Sequence, residues 1–261
     1  VRALPVSALP RSLHALEVAA LPAPARVAAA TARGFSRMAL LYVLVWLLGT
    51  NDPPVGVFAL ARAFVVFVVV PELCAQLVLR AFDGRAVVAR GSLRVERGGR
   101  QIEVPCASIV RATPWRLPLP TPGVTLGLAS GAVLPARLAL ADPARLLAAL
   151  ADAGVSAAGE ALARPELRYA AARAAWPVRW YERGWCKVAL FALLPGAVGF
   201  YAHQHIAFGA LLGEYYLMGL GAWLRSAVEY WLTAALYLAL WAGFFRVAQE
   251  AVLLAWALLT P

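Results

Sequence analysis

Apolar residues fall along this chain in long blocks, interrupted by one stretch in which they alternate with polar ones. The first block is MALLYVLVWLLGT, from Met38 to Thr50, and the turn sequence NDPP (51–54) follows it. The second runs from about Val55 to Phe82, the third from Trp185 to Ala202 and the fourth from Ala227 to Phe245. A helix needs ~20 apolar residues to cross a bilayer. The first block is therefore short unless Arg33 and Arg37 snorkel at its start, and the second is long enough to tilt or project. A last block, VLLAWALLT (252–260), either extends the fourth helix or lies in the interface. The blocks predict about four transmembrane helices.

Between the second and third blocks the period changes. RAVVARGSLRVERGGRQIEVPCASIVRA (85–112) alternates apolar and polar residues at spacing two, the mark of half-buried strands, with RGG (97–99) as a hairpin turn. GVTLGLASGAVLPARLAL (123–140) repeats the pattern around a turn at Ser130 and Gly131. ADPARLLAALADAG (141–154) then takes helical spacing. Asp142 is placed to cap the helix, Pro143 suits its first turn and Gly154 its exit, with Leu146, Leu147 and Leu150 as the buried stripe. Residues 156–183 are alanine-rich with spaced arginines and Glu160, Glu166 and Glu182. They predict an amphipathic helix, broken before Pro165 and again near Pro177, lying on the membrane surface or on the strands.

The strands closed by one helix after Asp-Pro resemble the PH-like (pleckstrin-homology-like) domain of bacterial membrane proteins. IEVPCASIVRA (102–112), GVTLGLASG (123–131) and DPARLLAAL (142–150) carry the resemblance, which covers about residues 84–155. The proline-rich TPWRLPLPTPG (113–123) departs from the usual pattern and is expected to be an ordered, exposed loop. The resemblance implies a scaffold that binds protein or lipid, with Pro114, Trp115, Arg116, Leu117 and Pro118 as the partner-binding loop. The predicted fold class is thus an α+β membrane protein, with a cytoplasmic PH-like β domain inserted between transmembrane helices two and three.

Composition supports the membrane assignment. The chain is 62% hydrophobic and 15% charged, with mean hydropathy +0.71, against about 25% charged residues in a typical soluble domain. Its net charge of +10 comes almost wholly from arginine, Lys187 being the single lysine. Fourteen arginines lie between Arg85 and Arg183, none in 51–54, and only Arg225 in 203–226. Arginine-rich loops stay on the cytoplasmic side. Residues 83–184 and both termini are therefore expected in the cytoplasm of a bacterium, and 51–54 and 203–226 outside its inner membrane. Trp176, Trp180, Tyr181 and Trp185 mark the re-entry point. Residues 1–36 carry prolines at 5, 10, 22 and 24, which interrupt any signal-peptide core. They are expected to be a mobile or surface-lying arm whose arginines touch anionic lipid. The resulting segments are the arm (1–36), a helical hairpin (37–82), the β domain (83–155), an interfacial stretch (156–184) and a second helical pair (185–261).

Candidate chemistry is sparse. Cys74, Cys106 and Cys186 lack the spacing of a disulfide framework or a zinc site. No phosphate-binding glycine loop, HExxH or G-x-S-x-G frame is present. HQHIAFGALLGEYY (203–216) holds two histidines and a carboxylate, but His203 and His205 point ~200° apart on a helix. Glu214 reaches them only if Gly209 or Gly213 turns the chain back. The structural alternative makes 203–225 a short interfacial or re-entrant helix with Tyr215, Tyr216 and Trp223 in the aromatic belt. Charges in apolar segments need partners. Arg62 and Glu229 fall at matching depths and are expected to form a cross-helix ion pair, whereas Glu72 has no partner nearer than Arg80. These residues give the chain two possible functions: a scaffold or accessory subunit meeting membrane lipids and a protein partner, or a membrane enzyme or transporter built on His203, His205, Glu214, Glu229, Arg62 and Glu72. No cofactor or nucleic acid is expected with either; no metal is expected with the scaffold, whereas the enzyme reading calls for a bound metal ion.

Overall fold

The computed structural model describes residues 15–49, 57–175 and 184–259. Among these, 15–35, 71–175 and 252–259 form one compact unit, and 36–49, 57–70 and 184–251 form another. The protein is mixed helix and sheet, and two of its helices are long and apolar enough to cross a membrane: Phe58–Ala81 and Leu220–Ala257. Only 11% and 6% of their apolar windows are buried by the rest of the chain. Core helices of a soluble protein bury most of such a surface.

The first unit is built on seven antiparallel strands in the order β4-β3-β2-β1-β7-β6-β5. They are β1 (Leu16–Leu21), β2 (Asp83–Ala89), β3 (Ser92–Arg97), β4 (Arg100–Pro105), β5 (Ile109–Pro114), β6 (Gly123–Leu128) and β7 (Arg137–Ala139). The alternating stretches are strands, as their period predicts. The N-terminal arm differs from expectation: its residues 16–21 form the middle strand, paired with β2 on one side and β7 on the other. Its last four residues, Val18 to Leu21, are buried on both faces, while Glu17 is exposed. Val18 and Ala20 enter the main core with Leu93, Val95, Leu126 and Leu138, while Ala19 and Leu21 meet Trp115, Val78, Leu79 and Phe82 on the other side. A strand buried on both faces has no polar alternation to betray it. The helical hairpin therefore interrupts the sheet between its first and second strands.

Helix α4, residues Pro143–Asp152, covers the main core with Leu146, Leu147 and Leu150 fully buried. Asp142 accepts a hydrogen bond from the Ala144 amide at 3.1 Å, and Gly154 leaves the helix at φ +91°. The interfacial stretch becomes two helices of this unit, α5 (Ser156–Leu162) and α6 (Pro165–Ala174), broken at Arg164 before Pro165. Ala158, Ala161 and Leu167 place them on the sheet core. The break near Pro177 lies outside the described residues.

Helix α1 spans Ala23–Gly49 and takes in the first apolar block. The second block is α2 (Val57–Phe64), a π-turn (Val65–Val69) and α3 (Val70–Ala81). Pro71 has no N–H to donate and its ring crowds the carbonyl four residues back. The chain widens before it, with the Val70 amide bonded to Val65 O. Ser36 Oγ donates to the Val68 carbonyl at 2.8 Å, occupying an acceptor of that irregular turn. From Pro71 onward the block belongs to the sheet unit, which is why it exceeds a bilayer's length.

The third block is two helices, α7 (Gly184–Phe191) and α8 (Leu193–Phe208), rather than one span. A short helix α9 (Gly213–Met218) precedes α10 (Leu220–Leu259), whose 40 residues absorb the last apolar block. In this helical unit Leu40, Leu60, Leu236 and Leu240 pack together. A Cβ on Gly196 would stand 2.9 Å from Trp231 Cα, so α8 and α10 touch through a glycine, as close helix pairs do.

A candidate functional site beside a clamped arginine

Glu72, which has no partner nearer than Arg80 along the sequence, pairs with a residue far from it in the chain. Arg33 reaches it from α1: Nε donates to Oε2 at 3.0 Å and Nη2 to Oε1 at 2.6 Å. The remaining Arg33 nitrogen, Nη1, donates to the Pro120 carbonyl. Gln76 Nε2 adds a bond to Glu72 Oε1 at 3.2 Å. Arg33 is only 7% exposed, and a buried guanidinium needs its donors engaged. One side chain thus joins α1, α3 and the proline-rich segment.

That segment is not the exposed loop expected from its prolines. Pro114, Trp115 and Pro118 are buried, and of the five expected binding residues only Arg116 and Leu117 face outward. Trp115 Nε1 donates to Thr125 Oγ1 at 2.9 Å, and the Arg26 guanidinium lies 3.8 Å over its ring. Burial, and then the charge of Arg137, lower the Arg26 pKa from its ordinary value. A Cβ on Gly123 would stand 2.8 Å from the indole. The prolines fold the segment over the outer sheet face, and the tryptophan fills the gap beneath.

The Arg62–Glu229 pair does not form. Arg62 is exposed, and Glu229 Oε1 takes Arg225 Nε at 2.9 Å, one turn back on its own helix. A partner four residues away on one helix face needs no tertiary alignment. In the same unit Arg37 Nη2 pairs with Glu250 Oε2 at 2.7 Å, a link that the apolar blocks do not suggest.

The histidine stretch does turn back, at Gly209 with φ +76°. The turn delivers Glu214 to Gln204, not to the histidines. Gln204 Nε2 and Ser226 Oγ both donate to the Glu214 carboxylate, the latter at 2.7 Å. Gln204 is 0% and Glu214 5% exposed. His203 packs on Tyr230 and Phe208, with ring centroids 5.2 and 5.7 Å apart. His205 Nδ1 donates to Tyr201 O at 3.1 Å. Successive helical residues diverge by ~100°, so the side chain between the two histidines faces α9 while they do not. Among the described residues no three metal-ligating side chains gather. Residues 203–208 end α8 rather than forming a separate interfacial helix.

The sheet unit also holds a cleft of about 800 Å3, which sequence reasoning misses. Glu17, Asp83 and Arg85 stand on one face of the β1–β2 pair, with Glu17 directly across from Arg85 in the register. Gln76 and Leu79 of α3 form another wall, and Arg33 and Arg173 complete it. The one signal for such a site lies in β1, whose single charged residue interrupts an otherwise apolar strand.

No protein-family model matches the chain, and no curated protein or solved structure does. Function rests on this geometry.

Proposed function

We propose that the chain is a multi-pass scaffold or accessory subunit of a bacterial inner membrane. Its sheet domain has a PH-like architecture and meets a partner on the cytoplasmic side, and four helical segments hold it in the bilayer. The observation that carries this proposal is the Arg33 contact. The carboxylate with no near partner in the sequence, Glu72, is bonded to an arginine that also fastens the proline-rich segment. Such bonding makes a rigid anchor for a binding domain, whereas a catalytic or transport carboxylate must stay available to substrate or proton. Glu229 and Glu214 are bonded within the helical unit in the same manner. The strand meander closed by the Asp142-capped helix supports the PH-like assignment, and the arginine asymmetry of the sequence supports the orientation.

The test uses a photo-cross-linking residue placed at Val110 or Leu117, two exposed apolar positions of the sheet unit, in the full chain in cells. A discrete adduct that survives membrane purification is expected. A chain that stays in the membrane and gives no adduct from either position would overturn the scaffold assignment. Orientation is read separately: a cysteine at Gly98 should resist a membrane-impermeant reagent in intact cells, and one at Gly209 should react.

A further inference from the structure

Glu17 and Arg85 are opposite each other on antiparallel strands, a placement at which Cβ atoms are ~5 Å apart and opposite charges normally pair. No hydrogen bond or ion pair joins their side chains. The Asp83 side chain, on the same sheet face two residues from Arg85, is also without one among the described residues. All three border the cleft of about 800 Å3, within the roughly 300–1,000 Å3 of small-molecule sites. Two carboxylates and a guanidinium that leave one another unpaired present both signs of charge to whatever fills the cleft.

The remaining walls narrow the ligand class. Leu79, Val18 and Ala139 are apolar, while Arg33 and Arg173 add positive charge. Gln76 and Leu79 belong to Phe58–Ala81, one of the two helices apolar enough to cross a membrane. On the same helix Leu73 and Leu77 are 53% and 62% exposed, and both lie within one turn of Gln76. A polar cleft at the end of an apolar helix, with exposed leucines beside it, suits an amphiphile whose head carries both charges.

We propose that this cleft binds the headgroup of an aminophospholipid. The phosphodiester lies on Arg85 and the arginine-lined wall, the primary ammonium lies between Glu17 and Asp83, and the acyl chains leave along Leu73 and Leu77. A primary ammonium donates N–H bonds to both carboxylates, and charge-assisted bonds of this kind are the strong ones. A quaternary choline has no N–H to give. A glycerol headgroup brings no cation, so the two carboxylates repel its phosphate. The proposal rests on the membrane part of the proposed function and not on its protein partner.

The full chain in nanodiscs of mixed composition tests it, by weighing the lipid that stays bound after transfer to detergent. Phosphatidylethanolamine should be enriched roughly tenfold over phosphatidylglycerol and phosphatidylcholine, the scale of one lost charge-assisted bond. Arg85→Gln should lower the retention of all three lipids without shifting the melting temperature, since Arg85 meets the phosphate they share and is exposed. Asp83→Asn with Glu17→Gln should abolish the enrichment, and serves should Arg85→Gln fail to fold. Equal retention of the three lipids by the native chain, or retention and enrichment unchanged in both variants, would overturn the proposal. Displacement of the lipid by free phosphoethanolamine at equal concentration would assign the cleft to a soluble ligand and overturn the lipid assignment. Release of the chain from membranes by alkaline carbonate, by contrast, would refute the membrane reading itself.

Discussion

Arg33 and Glu72 form a two-pronged ion pair across α1 and α3, with the arginine buried and the carboxylate side chain 39% exposed. Truncating the carboxylate leaves the guanidinium in the interior with a single acceptor, Pro120 O. Breaking a buried pair from one side costs about 3–5 kcal/mol, and the partial exposure of Glu72 places Glu72→Ala near the lower end. Arg33→Met with Glu72→Leu should recover most of the loss, because an apolar pair of similar volume needs no partner. Denaturant unfolding of the single and double variants measures this; additive losses would show that the two side chains do not act as a pair.

The turn after α8 depends on two glycines for different reasons. Gly209 has φ +76°, where an L-residue is strained by about 1–2 kcal/mol. Gly213 has an ordinary φ, but a Cβ there would stand 2.4 Å from the Phe208 carbonyl oxygen. That contact is with backbone and cannot be relieved by a rotamer change. Gly213→Ala should therefore lower the melting temperature more than Gly209→Ala, and should open the 209–213 turn to cleavage by a broad-specificity protease. The reverse order would mean that the turn yields at Gly213.

The sheet cannot assemble from residues 84–155 alone, because β1 stands between β2 and β7. A fragment of residues 83–175 should give a disordered far-UV spectrum. Joining residues 15–22 to its start through a flexible linker should restore a β-rich spectrum and cooperative unfolding. A folded 83–175 fragment would show that the sheet closes without its middle strand.

Cys106 is buried in the main core, and burial raises its thiol pKa above the ordinary value. The neutral thiol is the form the core accepts, so this contribution to stability is complete below the ordinary thiol pKa and is lost as pH rises through the raised one. Cys74 is exposed. In the detergent-solubilised chain at mildly alkaline pH, iodoacetamide should modify Cys74 and leave Cys106 intact until denaturant is added, as peptide mass mapping would show. Equal labelling of both would place Cys106 outside the core.

Features set by near neighbours in the chain are legible in the sequence by itself. The α4 helix is one: Asp142 caps it, Pro143 fixes its first turn and Gly154 releases it, all through contacts within a few residues. The strand period from Arg85 to Ala112 is another, because side chains alternate between core and solvent. The apolar helices are a third, because hydropathy is summed along the chain.

What only the tertiary structure decided concerns residues whose partners come from elsewhere. Val18 to Leu21 of β1 read as an apolar run in an arm because both faces of that part are covered, and alternation requires one wet face. Arg33 lies about as far before the NDPP sequence (51–54) as Glu72 lies after it, yet that symmetry becomes a contact only when α1 and α3 come within side-chain reach of each other. Arg62 and Glu229 match in depth, but Arg225 is nearer along the helix, and a local partner forms without waiting for packing. The cleft is hidden from the sequence because its walls are distant in the chain: Glu17 and Arg85 become neighbours only when strands separated by the whole hairpin come together.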